Sequence, residues 1–485
     1  MNGSRRAPIV AVAVALLCLT APAWPVTAQP RTTAPGHRPP GVPPPVDLAA
    51  LPTPTSVDTM PYWVSNDSTV QTGPVHRQAR CRQQAADSDQ DFQSEPEAQQ
   101  LLRIREAQRY ATGRGQLVAV IDSGVQPHPR LRGRLRNGGD YVEGRNELFD
   151  CDGHGTAVAG IIAAAADPAT GFIGVAPAVT ILSIRQASGF YSVPLRHLDT
   201  GQEDDHTNAG DTVSMARAVL RAVRLNAKVI NISEAACLLA TPDQVNARDL
   251  QAAVHYAAEH NVVVVVAAAN IGSHCPQNAP GVVSTISLPG WFGADVLTVA
   301  ATDTDGNPAS FSLHGPWVDV AAPGTDAISL AAGEPGLTSG LVDAHGMAQE
   351  LAGTSFATPY VAGLAALVRE RFPHLTARQV MHRIERTARP STGSTGRRED
   401  VGYGLINPVA ALTTVLPEEP AAPVQFGPVQ LASPAPPAAP STPPPDTLPR
   451  TVALTGSAVA LGVLGLTAMI VQTVTRQRPD QHANK

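Results

Sequence analysis

Residues 262–266 are five consecutive valines, preceded by Asn261 and followed by Ala267, Ala268, Ala269 and Asn270. No polar residue interrupts the run, so both of its faces need apolar cover. A strand of that kind belongs in a parallel sheet packed between two layers of helices. An antiparallel sheet with one wet face would read as an alternation instead. This is the most β-branched stretch of the chain, and such side chains suit a pleated, packed surface. Shorter apolar runs at 117–121, 180–184, 229–232 and 296–300 read as further strands. Helical patterns lie at 154–166, 213–225, 250–259 and 355–372, the last stopping before Pro373. Strands alternating with helices predict one α/β domain over residues 113–416: a parallel sheet with helices on both faces.

Candidate chemistry gathers at the ends of these elements. Asp122-Ser123-Gly124 closes the first strand, His154-Gly155-Thr156 opens the first helix, and Gly353-Thr354-Ser355-Phe356-Ala357-Thr358-Pro359 opens the last. Alone, each is weak, since Asp-Ser-Gly is an ordinary turn and His-Gly-Thr arises by chance. In this order and at these boundaries they supply the acid, base and nucleophile of a serine-hydrolase triad. Asp, His, Ser is the subtilisin order; chymotrypsin-like enzymes run His, Asp, Ser, and α/β-hydrolases run Ser, acid, His.

Each residue then has an expected role. Asp122 accepts the Nδ1 proton of His154 and fixes its tautomer. His154 is the general base. The positive end of its helix lowers a histidine pKa, so the Asp122 charge is needed to support the imidazolium. Gly153 and Gly155 leave room around the ring. His206, His274 and His314 lack such a setting and read as solvated or core histidines. Ser355 is the nucleophile, and Pro359 reads as lying in the first turn of its helix, where a missing N–H costs little. Asn270, at the end of the valine strand, presents a side-chain N–H as oxyanion donor beside the Ser355 backbone N–H.

Both ends differ from this body. The chain has 485 residues and a net charge of -6, which points away from nucleic acid. Arg5 and Arg6, the apolar residues 7–19 and Val26-Thr27-Ala28 read as a signal peptide over residues 1–28. Residues 29–112 form an N-terminal extension, Pro-rich at first, with an amphipathic stretch at 97–110 that predicts a helix. Residues 417–449 are a Pro-rich linker, able to reach roughly 100 Å at ~3.1 Å per residue. Residues 452–474 carry no charge, enough to cross a hydrocarbon core of about 30 Å. A transmembrane helix is therefore expected over 450–475. Arg476, Arg478 and Lys485 make the tail 476–485 cytoplasmic and leave the domain outside.

The chain resembles the subtilisin-like serine proteases, the subtilases, over about 115–412. More narrowly, it resembles the mycosins, membrane-anchored subtilases of actinobacterial type VII secretion systems. The narrower resemblance rests on the layout: signal peptide, extension, Asp-Cys-Asp-Gly-His-Gly-Thr before the base helix, Pro-rich linker and one C-terminal membrane helix. It implies a triad of Asp122, His154 and Ser355 with Asn270 at the oxyanion position. It also implies that Ser233-Glu234-Ala235 and Ala267-Ala268-Ala269 flank the substrate's P1 side chain. One departure is visible: Ala157 stands where many subtilases have the second His of His-Gly-Thr-His.

Cys18 leaves with the signal, so Cys81, Cys151, Cys237 and Cys275 remain, with three pairings open to them. Cys237 with Cys275 is favoured, because each follows a strand and those two strands would be neighbours. Cys81 with Cys151 then follows and fastens the extension beside His154. No paired-cysteine spacing of zinc type occurs, and neither a metal nor another cofactor is expected.

Two classes of function follow: an endopeptidase acting on exported proteins, and a structural part of a secretion complex in which proteolysis is dispensable. The resemblance implies the type VII secretion membrane complex as a partner. An esterase would use the same triad, but an extended segment at Ser233 to Ala235 favours a peptide bound by strand addition.

Overall fold

A computed structural model describes residues 41–58, 69–71, 75–81, 91–197, 203–240, 247–343, 345–390, 396–419, 465–469 and 472. The chain divides into two units, Met1–Leu416 and Pro417–Lys485. The signal segment, most of the Pro-rich linker, the tail and all of residues 452–474 except 465–469 and 472 lie outside the described residues. Among the described residues no helix is long and apolar enough to cross a membrane.

The main sheet of the first unit is built from β1 (Leu117–Asp122), β2 (Leu135–Asp140), β3 (Thr180–Arg185), β4 (Val229–Ile232), β5 (Val263–Ala267), β6 (Leu297–Thr302) and β7 (Val320–Pro323). They form one sheet in the order β7-β6-β5-β4-β1-β3-β2. Every pairing is parallel. The valine strand explains the layering. Val263 and Val265 join a core built with α1 (His154–Ala163), α4 (Thr354–Arg371) and α5 (Ala377–Thr387). Val264 and Val266 join the opposite core, with α2 (Thr212–Arg224) and α3 (Arg248–Glu259). All four are fully buried, and each such valine is worth about 1.5–3 kcal/mol relative to exposure.

Two strands escape a reading by apolar runs. β2 is Leu-Arg-Asn-Gly-Gly-Asp, an edge strand with a bulge between Asn137 and Gly139. β7 is a short edge strand ending in Pro323. An edge strand needs less apolar cover, and a bulge breaks the period.

The chain builds β3 and β2 to one side of β1 and β4 through β7 to the other. Strand order thus reverses beside β1, and a crevice opens outside the carboxyl ends of β1 and β4.

Residues 41–58 of the N-terminal extension hold the sheet's α2–α3 side. Gln251 Nε2 donates to the Pro44 carbonyl at 2.6 Å and Tyr141 Oη to the Val57 carbonyl at 2.7 Å. Val57 is buried, and Asp58 pairs with Arg221 and Arg224. The helix expected over 97–110 is two short ones, Glu97–Leu102 and Ile104–Ala107. Arg103 between them is left-handed at φ 55°, which turns the chain so that Leu102, Ile104 and Ala107 all reach the core. Strands Thr69–Gln71 and His76–Arg77 pair antiparallel with Ser188–His197. Disulfides join Cys81 to Cys151 and Cys237 to Cys275.

Candidate active site

Asp122 is the last residue of β1 and has no exposed surface. Its Oδ1 accepts the Ser123 backbone N–H and faces His154 Nδ1, each at 2.7 Å. His154 is the first residue of α1. What aligns strand end and helix start is Asp150, whose role the sequence reading missed. Its carboxylate accepts the N–H groups of Gly153 and Thr156 at 2.8 Å and the Thr156 hydroxyl at 2.6 Å. These are donors a helix start leaves without partners. The Ser123 hydroxyl donates to the same carboxylate at 2.9 Å and accepts the Gly155 N–H at 2.9 Å. One buried acid thus caps α1 and ties it to the turn after Asp122. An Asp four residues before a helix-opening His was the available signal. Gly155 is needed for closeness: a Cβ there would lie 2.0 Å from the Gly124 carbonyl oxygen and 3.0 Å from Asp122 Oδ1.

Ser355 lies one residue inside α4. Pro359 is not in the first turn, as the sequence reading had it, but inside the helix. Its missing N–H would have bonded the Ser355 carbonyl four residues back. That carbonyl instead accepts the Ser233 hydroxyl at 2.8 Å, and Ser233 in turn accepts Asn231 Nδ2 at 2.9 Å. The proline therefore frees a backbone oxygen for the segment after β4 to grip. Ser233, expected only to flank a substrate, also holds the backbone of Ser355. Phe356 lays its ring against His154, with centroids 5.1 Å apart, so the start of α4 abuts the imidazole.

Asn270 stands three residues beyond β5. Its Oδ1 accepts the Thr354 N–H at 2.9 Å and the Thr354 hydroxyl at 3.0 Å. The carbonyl end is thereby fixed, and the amide end is aimed by default. A Cβ on Gly353 would lie 3.0 Å from both Asn270 Nδ2 and Ser355 Oγ. The two groups converge on space that only glycine leaves open. Ala267, Ala268 and Ala269 are buried. Ala269 is left-handed at φ 86° and gives its carbonyl to Leu313 N–H at 3.0 Å. Ala235 is half-buried beside them.

Glu234, in the segment after β4, faces the imidazole with Oε1 3.9 Å from His154 Nδ1. Burial by itself would lower the His154 pKa. The Asp122 carboxylate first, then Glu234 and Asp150, outweigh that and hold it well above the ordinary value. The helix-end effect expected from sequence is thus overridden by three carboxylates. Burial, reinforced by Asp122, pushes the Glu234 pKa up, and burial also pushes Asp152 up to about 6. Asp152 is bound to the Ser188 hydroxyl at 2.5 Å and the Gly189 N–H at 2.6 Å. Ligand-type atoms of Asp122, His154 and Glu234 lie within 4.8 Å of one another. Of these atoms, Asp122 Oδ1 already meets the Ser123 N–H and His154 Nδ1.

Residues 113–404 match the sequence model of the subtilase family. The class is a serine endopeptidase built on the subtilisin-like parallel α/β fold. Mycosin-1 of Mycolicibacterium smegmatis is 36% identical over 98% of this chain and 100% of its own length. The structure of MycP1 from the ESX-1 type VII secretion system is 39% identical, with a TM-score of 0.68 over 79% of this chain and 99% of that one. A chain of the intact ESX-5 inner membrane complex is 37% identical, with a TM-score of 0.67 over 89% of this chain and 99% of that one. The chain belongs to the subtilase family and, within it, to the mycosins.

Proposed function

We propose that this chain is a membrane-anchored endopeptidase that cleaves exported proteins at a type VII secretion complex, through Asp122, His154 and Ser355. The observation that carries the reading is the pair of buried Asp122 and half-buried His154 at 2.7 Å, with Ser355 at the start of the helix that packs on the imidazole. Ser355 Oγ attacks the scissile carbonyl as His154 Nε2 takes its proton. Asp122 holds Nδ1–H and so keeps Nε2 as the accepting nitrogen. Asn270 Nδ2 and the Ser355 N–H take the oxyanion, where the positive end of α4 also favours negative charge. A serine-directed phosphonate should label Ser355 in the mature protein, read by peptide mass spectrometry. Labelling that survives His154→Ala undiminished would count against the reading.

Asn270→Ala should keep the nucleophile and lose roughly 10²–10³-fold in kcat, since only the oxyanion is deprived of a donor. The check is steady-state kinetics on a peptide substrate. A comparable rise in KM with kcat unchanged would assign Asn270 to substrate binding instead.

Anchoring comes from the apolar residues 452–474, with the catalytic domain on the outer side and 476–485 in the cytoplasm. Protease added to intact cells should reach the domain and spare a tag placed after Lys485.

The extension is read as a brace rather than a removable inhibitor. Cys81–Cys151 closes a loop of sequence separation 70, which stabilises by about 3–5 kcal/mol in the chain-entropy model. It sits one residue from Asp150, the cap of α1. Non-reducing peptide mapping of active protein should therefore recover residues 29–112 still attached to the domain. Activity that emerges only once they are lost would reverse the assignment.

A second reading, a structural stabiliser of the secretion complex with dispensable proteolysis, is supported by the similarity to a chain of the ESX-5 inner membrane complex.

A further inference from the structure

The mechanism above leaves one carboxylate of the crevice without a task. Glu234 lies between Ser233, which grips the Ser355 carbonyl, and Ala235. Its side chain keeps 39% of its surface, so it is partly buried rather than packed into the core. Its Oε1 stands 3.9 Å from His154 Nδ1, the nitrogen that Asp122 Oδ1 already holds at 2.7 Å. Charged groups reach this imidazole from three elements: Asp122 from β1, Asp150 from the segment before α1, and Glu234 from the segment after β4. Asp152 adds its field to Glu234 and is itself faced by Arg185. From α4 the contact is the uncharged Phe356 ring.

We propose that Glu234 is a positioning residue for His154, a second carboxylate that holds the imidazole in its protonated form in the resting enzyme. The proposal rests on the reading of His154 as the base. An imidazolium carries protons on both nitrogens and has no lone pair for the Ser355 proton. The nucleophile is therefore activated only in the fraction of molecules whose His154 has lost a proton, a fraction that grows with pH. A negative charge 4–6 Å from a cation favours the charged form by about 1–3 pKa units. Removing the Glu234 charge thus releases His154 as a base at lower pH. The Glu234 charge raises the His154 pKa, and the His154 charge opposes the rise that burial and Asp122 impose on Glu234.

The test is Glu234→Gln, which keeps size and removes charge. The acid limb of kcat/KM against pH should move down by about one unit or more, so the rate on that limb rises about tenfold. Glu234→Asp should restore part of the alkaline profile. In parallel, the imidazole nitrogens of His154 are titrated by ¹⁵N NMR in Ser355→Ala protein, with and without Glu234→Gln. The His154 pKa should fall by a matching amount. An NMR shift with an unmoved activity profile upholds the proposed coupling and instead sinks the reading of His154 as the base. An unmoved His154 titration, or a uniform loss of rate at every pH, overturns the proposal. If Glu234→Gln fails to fold, ¹³C-glutamate titration of the Ser355→Ala protein decides. Glu234 and His154 must then titrate as an interacting pair, and two independent single-site curves overturn it.

Discussion

Ser355→Ala is expected to lower peptide hydrolysis on the order of 10⁶-fold, the scale on which a subtilisin loses turnover without its nucleophile. The change deletes one hydroxyl one residue inside α4. Among the described residues no hydrogen bond passes through Ser355 Oγ. The grip on this residue is on its carbonyl, from Ser233 at 2.8 Å, and that survives. The neighbouring bonds from Thr354 to Asn270 survive as well. The variant should therefore fold, keep its disulfides and reach the same abundance. This makes it the right tool for separating catalysis from scaffolding. In a strain lacking the chain, Ser355→Ala should restore export if the protein also stabilises a secretion complex, although no substrate is cut. Secreted protein and complex integrity should be scored separately. Loss of both, at normal abundance and location, would leave proteolysis as the whole function.

Asp122→Asn is expected to cost about 10⁴-fold in kcat, from the wrong tautomer rather than from lost structure. Asp122 Oδ1 alone takes the Ser123 N–H and faces His154 Nδ1, so the Asn amide meets Nδ1 by giving up the Ser123 bond. In that pairing the amide donates, so Nδ1 must accept and the ring proton moves to Nε2. The nitrogen that should take the Ser355 proton is then already protonated. Asp122 is fully buried, so removing its charge relieves a desolvation cost. Thermal stability should stay within about 1 kcal/mol of the parent chain, the lost Ser123 bond opposing the relieved cost. Kinetics and a melting curve on the same preparation check both halves. A large fall in Tm alongside the lost rate would show that Asp122 is mainly a structural acid.

Much of this architecture is legible in the linear chain, for a reason specific residues show. Residues 262–266 are apolar at every position because β5 is covered on both faces. The periodicity of burial is thus written into local composition. Asp122, His154 and Ser355 sit where a strand or helix begins or ends, and capping and turn chemistry leave local marks there. β2 has none of this: an edge strand with Gly138 and Gly139 and a bulge presents no period to read.

What the chain alone determined was the run of strands and helices, the doubly covered parallel sheet, and the residue types at its strand ends. What only the tertiary structure decided was which side chains meet. Pro359 looks like a first-turn proline until the helix is seen to start at Thr354. Its missing N–H then turns out to free the carbonyl that Ser233, 122 residues away, holds. That Glu234, expected to flank a substrate, also lies 3.9 Å from His154 is seen only in the folded chain, as is the way Asp150 caps α1 and binds Ser123. Such pairings depend on the packing of β1, β4, α1 and α4 around two buried cores. Side chains 27 to 122 positions apart carry no local pattern that records their distance in space.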